Sequence, residues 1–256
     1  MKRIFILLLS GFVFSIALHA FAGDMINVPI LVYHNLDPSK RGSMTISTAK
    51  FESQIKWLKE NDYTVIPLIQ LVDYLQGKTN SLPVRSVVIT DDDGRESVYR
   101  YMLPLVQKYN IPVTLFIYPA VISKAPYAMT WAQLATLEKT GLFNIQSHTI
   151  WHPNFKQEKK RLSEKAYQKL VMEQLSISKT ILTTKLNSKI TLLAWPFGIY
   201  DHYLEQQAEK AGYVMAFSIA AKNANRLSNP MAVPRFMIVE DQSMGMFEAI
   251  VKGRVG

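Results

Sequence analysis

Eight short apolar or β-branched runs alternate with amphipathic stretches along this chain of 256 residues. Each run has the length of a strand, and the stretches between them have the period of helices. The runs cover residues 30–33, 63–66, 87–90, 113–117, 143–147, 191–194, 213–218 and 233–238. Strands that alternate with helices predict a parallel sheet, because each right-handed crossover brings the chain back in the same direction. The pattern alone leaves open whether the sheet closes into a barrel or stays doubly wound and open.

Several of the intervening stretches have recognisable helix ends. Ser47 is a typical N-cap for a helix that carries Phe51, Ile55 and Leu58 on one face. Asp201 is expected to cap another helix over residues 203–211. Further helices are predicted over residues 67–77, 98–109, 130–139 and 163–184. The basic run over residues 156–169 contains interleaved glutamates and is typical of a solvated helix face.

Residues 1–22 have the form of a secretory signal peptide, with Lys2 and Arg3 before a short apolar run and Ala20-Phe21-Ala22 at its end. An uncleaved N-terminal anchor is the alternative, although the apolar run is short for a bilayer span. Both interpretations predict an exported protein, periplasmic or extracellular, with no other transmembrane span. Residues 23–256 are expected to form a single domain. The chain has no cysteine, which excludes disulfides and thiolate metal sites.

The net charge of +9 is spread along the chain. No basic and aromatic residues cluster as they do in nucleic-acid-binding modules, so nucleic acid is not an expected partner. A diffuse positive charge is compatible with anionic polymers or lipid surfaces of the cell envelope. The sequence carries no signal for the oligomeric state.

Unusual polar clusters follow the predicted strands directly. They lie at residues 33–35, 90–94, 147–153, 195–201 and 234–235. In a barrel, the loops at the carboxyl ends of the strands assemble one active site. The five clusters are therefore expected to meet at one end of the sheet.

Two of these clusters have the composition of a metal site. His148 and His152 are four residues apart, which places both imidazoles on one face if the loop turns helically. An incidental pair remains an alternative, and the absence of a glutamate beside His148 excludes the HExxH metalloprotease motif. The triplet from Asp91 to Asp93 ends an apolar strand, where repulsion among the carboxylates needs compensation by a cation or by hydrogen bonds. Two histidines and one carboxylate with an open position are the usual ligands of a catalytic divalent ion.

The same motifs resemble those of the polysaccharide deacetylases, the NodB-like carbohydrate esterase family four. The sequence TDDDG is similar to the family's T/S-F-D-D-G motif, and residues 148–152 are similar to its H-[ST]-x-x-H motif. Residues 195–201 resemble the family's Y-P-F-G-x-Y segment, and residues 234–236 resemble its late arginine-bearing strand. Residues 31–34 resemble the Y-H segment of the branch that deacetylates poly-N-acetylglucosamine. The matches follow the family order from about residue 30 to residue 238.

The resemblance implies a distorted (β/α) barrel with seven or eight strands in one domain. It implies Asp92 as general base, Arg235 as the residue that orients it, and His34 as the candidate general acid. Asp93, His148 and His152 would hold a divalent metal, most simply Zn²⁺, with Co²⁺ or Ni²⁺ as alternatives. The substrate-binding residues that the resemblance implies are Trp195, Pro196, Phe197, Gly198 and Tyr200.

Three departures from the family pattern bear on this interpretation. Asp91 replaces the usual aromatic residue and adds a charge beside the site. The arginine of the third motif and the late Leu-x-His are both missing, so the general acid must be His34 or another group. The resemblance implies metal-dependent N-deacetylation of an N-acetylglucosamine-containing polysaccharide, either an exopolysaccharide or peptidoglycan. The alternative is a catalytically impaired protein of the same fold that binds carbohydrate or acts as a scaffold.

Overall fold

The computed structural model describes residues 26–39 and 42–255. The predicted signal peptide over residues 1–22 lies outside the described residues. Within the described ranges, no helix combines the length and the apolar character that a bilayer crossing requires.

The strands occur where the apolar runs predict them. They are β1 (Ile30–Tyr33), β2 (Asn35–Leu36), β3 (Thr45–Ile46), β4 (Thr64–Val65), β5 (Ser86–Asp92), β6 (Val113–Ile117), β7 (Phe143–Ser147), β8 (Leu192–Ala194), β9 (Met215–Phe217) and β10 (Phe236–Met237). The short pair β2 and β3 has no counterpart in the sequence-based prediction. Both strands are only two residues long, which is too short to give a hydrophobic period.

The helices alternate with the strands. They are α1 (Thr48–Glu60), α2 (Leu68–Leu75), α3 (Leu103–Tyr109), α4 (Trp131–Lys139), α5 (Phe155–Arg161), α6 (Glu164–Leu186), α7 (His202–Lys210) and α8 (Met244–Val251). A π-helical turn at Val98–Met102 precedes α3. The oxygens of Ser47 and Asp201 accept the predicted capping hydrogen bonds from Lys50 N and Leu204 N. The basic run spans α5 and the start of α6, and Ser163 caps α6 at the predicted start of that helix.

The main sheet has the strand order β10-β1-β5-β6-β7-β8-β9, with β4 paired to β5, and all its strand pairs are parallel. The segment that ends in β10 connects the two edges of this curled sheet. Val233 forms a parallel bridge to Phe217 of β9, and Phe236 pairs with Leu31 of β1. The predicted distorted barrel in a single domain is confirmed.

Alternate strand residues belong to two different apolar clusters. Ile30, Val88 and Phe116 face the inside of the barrel, where they belong to one apolar cluster with residues of other strands and of α2. Leu31 and Ile89 pack in the layer between the sheet and the outer helices. By the same alternation, Asp92 continues the inner face of β5 and Asp91 continues its outer face.

Candidate active site

A cavity of about 320 Å³ opens at the carboxyl ends of the barrel strands. Its lining comprises His34, Met44, Asp92, Asp93, His148, His152, Trp195, Phe197, Gly198, Ile219 and Met237. Four of the five polar clusters contribute side chains to this lining directly. Arg235, from the fifth cluster, does not line the cavity itself but contacts Asp92, which does. This arrangement agrees with the expectation that the five clusters meet at one end of the sheet.

Three residues of the cavity form a group that could hold a metal ion. One ligand atom from each of Asp93, His148 and His152 lies within 4.8 Å of the others. The Nε2 atoms of both histidines are 3.9 Å from Asp93 Oδ1. Ligands about 2.0–2.2 Å from a tetrahedral zinc ion would be about 3.3–3.6 Å apart. The two histidine–aspartate distances are therefore only a few tenths of an ångström longer than zinc coordination requires.

The protonation of the two imidazoles suits metal binding. His148 Nδ1 lies 2.7 Å from the carbonyl oxygen of Ala194, which can only accept, so Nδ1 carries the proton and Nε2 keeps a free lone pair. Burial lowers the pKa of His148 to about 3, and burial also lowers the pKa of His152. Both rings are neutral near pH 7, as metal ligands must be.

The loop that carries the histidines is irregular rather than helical. Thr149 and His152 have φ angles of 66° and 62°, in the left-handed region that non-glycine residues seldom adopt. The two rings nevertheless meet edge to face, with centroids 4.6 Å apart. The i, i+4 spacing therefore brings the imidazoles together through a strained loop, and not through a helical turn.

Two polar side chains of α6 hold this loop. Gln174 Oε1 accepts hydrogen bonds from the backbone N–H groups of Ile150 and Trp151. The Ser178 hydroxyl donates to Thr149 O and lies 2.8 Å from Ser147 Oγ. Both side chains are buried. The sequence analysis did not identify them, although polar residues on the apolar face of a long helix were a usable signal.

Asp93 follows β5 in a tight turn. Its φ is 79°, and its N–H donates to Phe116 O. Gly94 also has a positive φ of 74°, and a Cβ there would lie 3.0 Å from Ile117 Cδ1. Burial raises the pKa of Asp93, and the Asp92 charge adds to this rise. A cation in the cavity would relieve both effects.

Asp92 forms a buried ion pair with Arg235. Both oxygens of the carboxylate accept from the guanidinium, at 2.9 and 2.7 Å, and Arg235 Nε donates to Ser218 O. Burial alone would raise the pKa of Asp92. The attraction of the Arg235 charge outweighs this effect of burial and lowers the pKa of Asp92 to about 2, and His148 lowers it to a smaller extent. Asp92 is therefore ionised at neutral pH and able to accept a proton.

His34 lines the same cavity as Asp92 and Asp93. Burial lowers its pKa, while the two carboxylates act in the opposite direction and favour the protonated ring. Because the net effect lowers the pKa, the neutral ring predominates near pH 7, and His34 can donate a proton to a departing amine only in its protonated form.

The predicted substrate-binding residues divide into two groups. Trp195, Phe197 and Gly198 line the cavity, with Trp195 buried and its indole N–H donating to Met231 O. Phe197 is 54 % exposed at the rim. Pro196 is buried without lining the cavity, and Tyr200 lines a neighbouring cavity instead.

Asp91 points away from the cavity into the layer under the outer helices. It is fully buried, and neither carboxylate oxygen has a hydrogen-bond partner among the described residues. Burial raises the pKa of Asp91 well above its ordinary value, and Asp92 and Asp93 raise it further. The neutral acid is therefore favoured, which reduces the charge that Asp91 adds beside the site.

Comparisons with known proteins agree with these motifs. A family model described as "Polysaccharide deacetylase" matches residues 79–216. The poly-beta-1,6-N-acetyl-D-glucosamine N-deacetylase of Staphylococcus aureus strain MRSA252 is 30 % identical over 212 residues, which cover 81 % of this chain and 71 % of the relative.

Two solved structures share the fold. The Streptococcus pyogenes deacetylase PplD, in complex with acetate, has a TM-score of 0.78 at 21 % identity, over 89 % of this chain and 99 % of that one. IcaB from Ammonifex degensii also has a TM-score of 0.78, at 24 % identity, over 88 % of this chain and 97 % of that one. With the ordered motifs and the sequence match, the chain belongs to the polysaccharide deacetylase family.

Proposed function

We propose that this protein is a metal-dependent hydrolase that removes N-acetyl groups from poly-β-1,6-N-acetyl-D-glucosamine. The observation that carries the proposal is the position of the ionised Asp92 in one cavity with the cluster of Asp93, His148 and His152. The name of the Staphylococcus aureus relative supports the choice of polymer.

Asp93, His148 and His152 would hold the metal ion. Two neutral imidazoles and one carboxylate suit Zn²⁺ and also accept Co²⁺ or Ni²⁺. When bound there, such an ion would supply Lewis acidity to the amide carbonyl and would acidify a water molecule. The hydrogen bond from His148 to Ala194 fixes the orientation of its ring before the ion arrives.

Asp92 would accept the proton of the attacking water. Its low pKa keeps the carboxylate free of a proton until that step, and Arg235 holds both of its oxygens in place. His34 would then protonate the departing amine, which is a poor leaving group without a proton. The proton moves from water to Asp92, and the amine receives one from His34.

The remaining cavity wall would receive the acetyl group. Met44, Ile219 and Met237 contribute apolar side chains to it, together with Trp195 and Phe197. A small apolar wall beside polar groups suits a methyl group next to a reacting carbonyl. Pro196 would support this wall from behind, and Tyr200 would contact the polymer farther along its chain.

We further propose export of the protein to the periplasm or the cell exterior, with residues 1–22 as signal peptide and 23–256 as the catalytic domain. The name of the staphylococcal relative gives a polysaccharide as its substrate. The leader-like sequence at the amino terminus is consistent with a substrate outside the cytoplasm.

Acetate release tests the proposal. We expect release from β-1,6-linked N-acetylglucosamine oligomers in the presence of Zn²⁺ or Co²⁺, and its loss with a chelator or with Asp93→Ala. Peptidoglycan fragments serve as the comparison substrate. Activity that is indifferent to both the chelator and Asp93→Ala would contradict the metal mechanism. Metal binding without acetate release from any glycan would instead favour a catalytically impaired carbohydrate-binding or scaffold protein.

A further inference from the structure

A second cavity of about 390 Å³ lies beside the candidate active site, and Tyr200 is the one residue of its lining to which the proposed function gives a role. The segment that connects β8 to α7 separates the two cavities, since Phe197 and Gly198 line the first and Tyr200 lines the second. The polar and aromatic residues of its lining that could contact a ligand are Lys156, Lys159, Lys160, Tyr167, Tyr200 and Asp201.

The charge of this cavity is positive and only partly compensated. Lys159 pairs with Asp201 at 2.9 Å, and Asp201 also caps α7. Lys156 and Lys160 are exposed and have no carboxylate partner within the described part of the chain. The basic run that was assigned to a solvated helix face therefore contributes two lysines without carboxylate partners to the lining of a concave site.

Tyr167 is a buried polar residue in the same lining. It is 1 % exposed, and its hydroxyl has no hydrogen-bond partner among the described residues. A buried hydroxyl without a partner loses the hydrogen bond that it made to water. Because burial and the Asp201 charge raise the pKa of Tyr167, the phenol is neutral and can donate.

Tyr200 supplies an apolar face at the rim of the cavity. Its side chain is 41 % exposed. Aromatic rings with one polar end are well suited to contact sugar rings, which have apolar faces and polar edges.

We infer that this cavity binds an anionic saccharide, with its phosphate or carboxylate oxygens at Lys156 and Lys160 and its sugar ring against Tyr200. An anionic oxygen would also accept the unused hydrogen bond of Tyr167. The inference rests on the proposed function only for the saccharide character of the ligand.

Direct binding measurements test the inference without turnover, so that it can fail independently of the proposed activity. The full chain with Zn²⁺ is titrated calorimetrically with N-acetylglucosamine 6-phosphate, N-acetylmuramic acid, neutral N-acetylglucosamine and inorganic phosphate. The two acidic sugars distinguish a phosphate source from a carboxylate source. We expect at least one of them to bind about fivefold or more tightly than the neutral sugar and than inorganic phosphate. Inorganic phosphate that binds as tightly as the sugar phosphate would overturn saccharide recognition.

Matched variants locate the binding. Lys156→Ala/Lys160→Ala should remove the preference for the acidic sugar. Lys185→Ala/Lys210→Ala changes the net charge equally at the far ends of α6 and α7 and should leave the preference intact. Equal losses in both pairs would indicate a non-specific charge effect and overturn the site.

Two further variants separate this cavity from its surroundings. Asp93→Ala removes any anion binding that depends on the metal centre. Retained binding of the acidic sugar would therefore support the second cavity as its site, and loss of that binding would overturn the inference. Tyr167→Phe should lower the affinity for the acidic sugar without lowering the midpoint of urea unfolding, because its hydroxyl makes no hydrogen bond in the free protein. A destabilised Tyr167→Phe with unchanged affinity would contradict the part assigned to that hydroxyl.

Discussion

Arg235 and Asp92 form a two-point ion pair inside the barrel, at 2.9 and 2.7 Å, with both side chains almost fully buried. They are 143 positions apart in sequence. Thr90 Oγ1 and Ser218 O accept the remaining hydrogen bonds of the guanidinium. The pair keeps a buried carboxylate ionised, and it connects β5 to the segment that ends in β10.

Removing one partner of this pair should be costly. We expect Arg235→Met to lower the free energy of unfolding by about 3–5 kcal/mol, because it leaves the Asp92 charge buried without a partner. The double variant Arg235→Met/Asp92→Leu should recover most of that loss, and neither variant should release acetate. Urea unfolding and acetate assays measure both effects. A double variant no more stable than Arg235→Met would contradict the buried-charge explanation.

The leaving group distinguishes the role of His34 from that of Asp92. His34→Asn should lower kcat for N-acetylglucosamine oligomers about 10²–10⁴-fold, because the amine departs only with a proton. The same variant should keep most of its activity on 4-nitrophenyl acetate, whose phenolate leaves unprotonated. Asp92→Asn should lose activity on both substrates. Equal losses in His34→Asn on amide and ester would exclude His34 as the general acid.

Gln174 is predicted to act on the metal site through the histidine loop. Gln174→Leu removes the acceptor for Ile150 N and Trp151 N and should weaken Zn²⁺ binding about 10–100-fold. Gln168→Leu is the control, because Gln168 lies on the same helix but is exposed and bonds only to Glu164 among the described residues. Competition with a zinc indicator measures the affinities, and similar values for both variants would argue against this role.

The buried neutral His148 should make the metal-free protein sensitive to mild acid. The pKa of His148 is lowered from 6.5 in the unfolded chain to about 3 in the folded one. Between these values the unfolded state binds the proton and the folded state does not, so stability falls as the pH falls. Relative to His148→Asn, the wild type should lose up to about 1.4 kcal/mol per pH unit below pH 6.5. Urea unfolding at pH 7.5, 6.5 and 5.5 measures the slope, and equal slopes for the wild type and His148→Asn would contradict this prediction.

Gly198 allows the cavity wall to pack closely against Ile219, which follows β9. Its φ is +65°, and an added Cβ would lie 2.4 Å from Ile219 Cγ1. Gly141 has a similar φ of +72° but open space around it. Gly141→Ala should therefore cost about 1–2 kcal/mol from backbone strain alone. Gly198→Ala should cost more and lower kcat/KM, since Ile219 must move within the cavity, and equal unfolding midpoints would show that the contact is unimportant.

Local patterns in the sequence were sufficient to predict most elements. The eight apolar runs correspond to strands of the main sheet, because strand length and helical period are visible within a few residues. The short helix α8 was missed, and α5 received no predicted bounds. Both begin at caps, at Ser243 and Asn154, that no long hydrophobic period accompanies.

The gathering of Asp92, Asp93, His148 and His152 at one end of the sheet also followed from sequence, because parallel strands place their carboxyl ends together. Only the tertiary structure decided how the loops turn there. It gave Thr149 and His152 left-handed backbones, buried Asp91 on the outer face, and directed Tyr200 to the second cavity. The positions of the strands along the chain depend on local residue type. Loop conformation and cavity walls depend instead on packing between residues far apart in the chain, such as Gln174 with Trp151 and Arg235 with Asp92.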